Sequence, residues 1–245
     1  MGPPVDPLLS PLRELLDAVF PPRCPLCEAH VACPEHRLPP GPHGSRCGRC
    51  ARRLPRGLPD GYRCAACRRR PPAYGRLVVL DGYPGRDGAL REWILALKHG
   101  GRRDLARPLG RALARRLQRA GEPGPGALLV PVPLHPWRRF ERGHDQALGL
   151  ARAVGRATGL PVVRALRRLR YTPAQGAAGA VSRRANVRGA FAARRLAARR
   201  LRGVEVWLVD DVVTSGATLE ECARVLRSAG AGPVAALAAA RAGPA

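Results

Sequence analysis

The chain has 245 residues, 45% of them hydrophobic and 25% charged, which excludes a disordered or fibrous protein and allows a sizeable core in one large domain or two unequal ones. No run approaches the ~20 apolar residues of a membrane helix, and Arg13, Glu14 and Asp17 interrupt the first leucines where a signal peptide needs an apolar stretch; a cytoplasmic protein with no membrane span is expected. With 43 basic against 18 acidic residues the net charge is +25, which points to phosphate-bearing ligands and more weakly to nucleic acid.

Single occurrences of Lys98, Asn186 and Ile94 beside abundant Arg, Ala, Gly and Pro are the mark of a GC-rich coding sequence. That bias explains why the cations are arginines, but not why they exceed the acids.

Leu8, Leu9, Leu12, Leu15, Leu16 and Val19 recur at helical spacing and predict an amphipathic helix packed on the rest of the protein. A Pro-, Gly- and Arg-rich stretch follows, and it holds seven of the eight cysteines. From residue 76 onward apolar strand-like and amphipathic helix-like segments alternate. Strands are predicted over 77–83, 127–132, 204–209 and 234–240, with another beginning at 160–163. Helices are predicted over 88–98, 105–117, 147–157 and 217–229. Such alternation argues for an α/β fold with a largely parallel sheet flanked by helices. A boundary near residue 73 would divide an N-terminal helix and cysteine module, 1–72, from an α/β domain, 73–245.

The cysteines fall in pairs: Cys24/Cys27, Cys47/Cys50 and Cys64/Cys67, with Cys33/His36 at the same spacing. Two intervening residues let both thiolates of a knuckle face one ion, and 19 residues separate the first pair from the second, inside the usual window of a structural zinc site. Eight ligands arranged in fours suffice for two closed tetrahedral sites, so one or two structural Zn²⁺ ions are expected, with the grouping of the pairs left open. Disulfides need a secretory context, and a redox dithiol would not occur in triplicate. Zinc would supply folding energy to a segment too short and polar for its own core. Cys222, alone in a helical stretch, reads as a small buried hydrophobe.

The most specific stretch runs from Val204 to Thr218. An apolar strand ends in Asp210 and Asp211, and Val212, Val213, Thr214, Ser215, Gly216, Ala217 and Thr218 then turn into a helix. Ligands of parallel sheets gather at the carboxyl ends of strands. Two carboxylates there can accept hydrogen bonds from vicinal hydroxyls. Gly216 lets successive N–H groups curl inward, and these amides, the hydroxyls and the helix start make a cradle for a phosphate monoester. A ribose 5-phosphate moiety fits a diol clamp beside such a cradle. Two other readings stay open: ordinary turn and cap residues, and an acidic pair holding Mg²⁺ with a pyrophosphate.

This stretch closely resembles the phosphoribosyl pyrophosphate (PRPP) motif of type I phosphoribosyltransferases. With the cysteine module in front, the chain resembles the ComF family over nearly its whole length. Leu97-Lys98-His99-Gly100-Gly101 resembles that family's Lys-x-Gly segment. Val130-Pro131-Val132-Pro133 with Arg138, Arg139, Arg142-Gly143 and Gln146 resembles its Pro-Val-Pro…Arg-Gly-Phe-Asn-Gln segment, with His144 and Asp145 where Phe and Asn are usual. Thr172, Gln175, Arg183, Asn186 and Gly189-Ala190-Phe191 resemble a further block. His36 stands where the family usually has Cys.

The resemblance implies a phosphoribosyltransferase-like parallel sheet behind a zinc-ribbon module. Asp210 and Asp211 would hold the ribose hydroxyls, and Thr214 through Thr218 the 5′-phosphate. Arg138, Arg139 and Arg142 would lie on the pyrophosphate side, with Mg²⁺ accompanying PRPP. A catalytic member would displace pyrophosphate from C1 of PRPP, mainly by charge stabilisation. The implied setting is DNA uptake and natural competence, with a competence-machinery protein as a partner, or nucleotide metabolism. The alternative is a non-catalytic single-stranded nucleic-acid-binding or scaffold protein, with single-stranded DNA as a partner, that uses the cradle as a sensor. Its 4% aromatic content gives little base-stacking surface for that role.

Overall fold

The computed structural model describes residues 38, 44–82, 89–99, 101–135, 144–170 and 187–242. The amphipathic segment near the start, Cys24, Cys27, Cys33, His36, Arg138, Arg139, Arg142, Thr172, Gln175, Arg183 and Asn186 lie outside the described residues.

Four apolar segments form one parallel sheet in the order β1-β6-β5-β2: β1 (Leu77–Gly82), β2 (Leu128–Pro131), β5 (Val206–Val213) and β6 (Val234–Arg241). Their side chains alternate between two cores, so both faces are covered and the strands read as continuous apolar runs. On one face Val78, Leu80, Leu129, Trp207, Val209 and Leu237 pack with three helices, α2 (Ala89–His99), α3 (Ala106–Arg119) and α4 (Gln146–Thr158). On the other, Leu77, Val79, Val130, Val206, Leu208 and Ala236 meet α6 (Ala217–Ser228), a short antiparallel ribbon of β3 (Leu166–Arg168) and β4 (Phe191–Ala193), and α5 (Arg195–Leu201).

Small residues set the helix layer. A Cβ on Gly110 of α3 would lie 2.3 Å from that of Ala153 on α4, so these two helices cross at backbone contact. Asp145 caps α4 by accepting a hydrogen bond from the Leu148 N–H at 3.0 Å, and Gly159 ends it in the left-handed region at φ 77°. These two residues explain why the predicted helix over 147–157 has sharp ends.

Most strands and helices fall where the sequence pattern puts them, with two differences in kind. The strand expected from residue 160 is a single parallel bridge of Val162 to Leu129, because Pro161 has no N–H to continue a ladder. Elements β3, β4 and α5 were not anticipated; two three-residue strands are too short to display an alternation.

The cysteine module rests along β1, touching its first residue and Asp81 near its carboxyl end. The Leu77 N–H donates to the Arg49 carbonyl at 2.9 Å, Arg49 reaches the Pro72 carbonyl at 2.9 Å, and Arg46 pairs with Asp81 at 2.6 Å with both side chains largely buried. From the other direction, Glu220 of α6 accepts from the Ala73 N–H at 2.9 Å.

Candidate functional site

β5 continues past its apolar half through Asp210 and Asp211 to Val213, longer than the 204–209 pattern predicts. Successive side chains of a strand leave opposite faces, so the two carboxylates straddle the strand end. Asp211 meets α2, where its Oδ2 lies 3.2 Å from Lys98 Nζ. Asp210 lies half-buried on the other side, and its Oδ1 accepts from the Asp211 N–H at 2.9 Å. Burial, and then the negative charge of Asp211, push the Asp210 carboxyl well above the usual carboxylate range, with Lys98 opposing.

After Val213 the chain turns through Thr214 and Ser215 to Gly216, which opens α6 at φ 83°. No side chain caps this helix as an N-cap residue would; Ser215 Oγ accepts from the Ala217 N–H at 3.3 Å. Thr214 is exposed, and Ser215, Gly216 and Thr218 are part-exposed. The turn thus presents two hydroxyls and the start of a twelve-residue helix, and its partial positive charge favours an anion.

Two residues outside this motif support it. Lys98, the chain's one lysine, closes on Asp211 across more than a hundred residues of sequence. His144 anchors the turn that carries it, with Nε2 at 2.7 Å from the Leu97 carbonyl. The departures at His144 and Asp145 therefore have structural tasks: one contacts the end of α2, and the other caps α4 as an Asn would. Gln146 is 2% exposed and belongs to the first turn of α4.

The second and third cysteine pairs come together. The thiols of Cys47, Cys50, Cys64 and Cys67 are buried and lie within 4.8 Å of one another, with Cys50 and Cys64 sulfurs 3.8 Å apart. A zinc tetrahedron with bonds of about 2.3 Å has edges of about 3.8 Å, so four thiolates at this spacing fit one structural zinc ion. Thirteen residues, 51–63, separate these pairs. Burial raises the Cys47 thiol, but the N–H groups of Cys64, Cys50 and Arg49 outweigh it and bring it down to about 7. Burial pushes the Cys50 and Cys67 thiols up, so metal binding must displace their protons. Cys222 is fully buried on the core face of α6, and its thiol is pushed up by burial as expected of an inert core residue.

Beside the β3–β4 ribbon lies a groove of about 590 Å³ bordered by Arg164, Arg167, Arg194, Arg195 and Arg200, with Leu196 almost wholly exposed at its edge. Their spacing along the chain carries no sign that these five arginines would share one surface. No helix among the described residues is long and apolar enough to cross a membrane.

Parallel sheet, carboxylate-tipped strand, glycine-opened helix and four-thiol cluster define an α/β protein with a candidate phosphate-sugar site and a four-cysteine cluster that fits one zinc ion. No family model matches the chain. DNA utilization protein YhgH of Salmonella typhi is 30% identical over 221 residues, 86% of each chain. Competence protein F of Haemophilus influenzae is 34% identical over 103 residues, 42% of this chain and 44% of that one. The chain belongs to this competence protein F and YhgH family. Among solved structures, a glutamine PRPP amidotransferase from B. subtilis complexed with ADP and GMP is similar with a TM-score of 0.36 and 25% identity, covering 54% of this chain and 25% of that one. TT1426 from Thermus thermophilus is similar with a TM-score of 0.32 and 20% identity, over 56% of this chain and 81% of that one.

Proposed function

We propose that this protein binds PRPP in the manner of a type I phosphoribosyltransferase, with the ribose hydroxyls on Asp210 and Asp211 and the 5′-phosphate on Thr214, Ser215, Gly216, Ala217 and Thr218. The observation that carries this reading is the juxtaposition of an Asp211–Lys98 pair at 3.2 Å with a helix opened by Gly216. A diol acceptor and an anion-attracting turn follow one another at the same strand end. Because the carboxylates straddle the strand, the sugar would lie across its tip.

Val212 and Val213 set the turn's entry. In this reading Arg138, Arg139 and Arg142 neutralise the pyrophosphate, and Mg²⁺ arrives with it. The chemistry is then displacement of pyrophosphate from C1, with the fixed cations stabilising the departing charge. Zn²⁺ in the Cys47/Cys50/Cys64/Cys67 cluster is structural, because four thiolates leave no open position. The relatives' names support a role in DNA uptake or utilization, beside a competence-machinery partner.

Calorimetric titration of metal-loaded protein with PRPP and Mg²⁺ tests the reading. Saturable binding, lost in Asp211→Asn, is expected; no binding contradicts it. Pyrophosphate release on adding an acceptor base would make the protein a transferase.

A second reading has its own observation, the five-arginine groove beside the β3–β4 ribbon. There the protein holds single-stranded DNA by its phosphates without catalysis. Affinity would fall steeply with salt, and Arg167→Ala with Arg195→Ala would weaken it; a flat salt response contradicts this mode.

A further inference from the structure

Arg241 is the last residue of β6, at the carboxyl end of a strand otherwise made of Val, Ala and Leu. It pairs in register with Val213 of β5 on one side and Gly82 of β1 on the other. Its side chain is thus delivered to the point where β5 leaves the sheet for the 214–216 turn. Only 7% of it is exposed. Among the described residues, its buried Nη1 has no hydrogen-bond partner.

A buried guanidinium N–H without an acceptor is costly. Its position says what acceptor is missing. A Cβ on Gly216 would lie 3.4 Å from Arg241 Nη1 and 3.3 Å from the Tyr74 hydroxyl. The unmatched donor and a second, 2%-exposed donor therefore lie against the glycine that opens α6. Gly216 is required there twice, by its positive φ and by these two neighbours.

Resting on the phosphate-sugar reading above, we propose that Arg241 is the anion-selecting residue of the 214–218 turn. Its guanidinium supplies a fixed positive charge under Gly216 that makes the turn take a phosphate monoester dianion. Thr214, Ser215 and the backbone amides are neutral donors and would serve a carboxylate or a hydroxyl nearly as well. A guanidinium adds charge and a planar fork suited to phosphate oxygens.

Arg241 also faces the cysteine cluster, and its charge favours the thiolate form of Cys50. A counter-ion to the metal–thiolate group is thus the competing role, and the two roles move different readouts.

The test uses full-length, metal-loaded protein, titrated calorimetrically with inorganic phosphate and with ribose 5-phosphate. Arg241→Met keeps the buried stem and removes the charge. It should weaken both probes about ten- to hundredfold, with metal content by mass spectrometry unchanged and the unliganded melting temperature equal or higher. Asp211→Asn should weaken ribose 5-phosphate and spare inorganic phosphate. Affinities of Arg241→Met within twofold of wild type overturn the proposal, and so does parallel loss of metal and affinity. If Arg241→Met does not fold, Arg241→Lys replaces the fork by a single point charge. It should lose about tenfold, and wild-type binding by it would be equally fatal. Wild-type protein that binds neither probe would instead sink the phosphate-sugar reading itself, and this proposal with it.

Discussion

Asp210→Asn should make the unliganded protein more stable while abolishing sugar binding. The carboxyl of Asp210 is half-buried, lies next to Asp211, and is pushed well above the usual carboxylate range by burial first and that neighbour second. A carboxyl whose folded pKa exceeds the unfolded value of about 3.9 holds its proton more tightly when folded. Its stabilising contribution is present at low pH and is lost as pH rises through the interval between the two values. Asn has no proton to lose, and its amide oxygen can still accept from the Asp211 N–H that Asp210 meets at 2.9 Å. Each pKa unit is worth about 1.4 kcal/mol, and 1 kcal/mol moves the melting temperature of a protein this size by about 2–4 °C. A gain of several degrees at pH 8, shrinking toward zero near pH 4, is the expected outcome in paired melting curves. A variant that melts below wild type at pH 8, or a difference independent of pH, would refute the electrostatic reasoning.

Asp211→Asn should act in the opposite direction, since it strands Lys98 in a part-buried site; a loss of about 1–2 kcal/mol is expected, checked by denaturant unfolding, and Lys98→Met should mirror it. Gly216→Ala, at φ 83° with neighbours at 3.3 and 3.4 Å, should cost about 1–3 kcal/mol and weaken phosphate binding, read by the same melts and titrations. Cys50→Ser or prolonged chelation should release the metal of the four-thiol cluster and lower the melting temperature. Because burial raises the thiols of Cys50 and Cys67, metal affinity should fall as pH falls, measurable by competition with a chromogenic chelator.

Much of this was legible in the sequence because it is local. A strand, two acids, a hydroxyl–glycine turn and a helix stand in one fifteen-residue run, and the fold preserves that order. Lys98 was conspicuous as the one lysine, but its partner Asp211 is set by where α2 lies over the sheet, which no local pattern encodes. The cysteine pairs were equally visible, whereas their grouping depends on how the chain between them folds. The 51–63 interval is closed by a tight knuckle with Ala51 at φ 55° and an Arg46–Arg53 bridge. Arg241 was unreadable for a different reason: one arginine among 43 basic residues has no signal until the strand places it under Gly216. The arginine groove was hidden likewise, because its arginines come from β3, α5 and the segments just before them.

Amide hydrogen exchange, followed by mass spectrometry with and without ribose 5-phosphate, is the most direct test that the end of β5 is the ligand site. Slowed exchange is expected in peptides covering 210–218 and in the end of α2 around Lys98, with little change in peptides from α3. Exchange in 210–218 that is indifferent to saturating ribose 5-phosphate, or protection confined to another part of the chain, would contradict it.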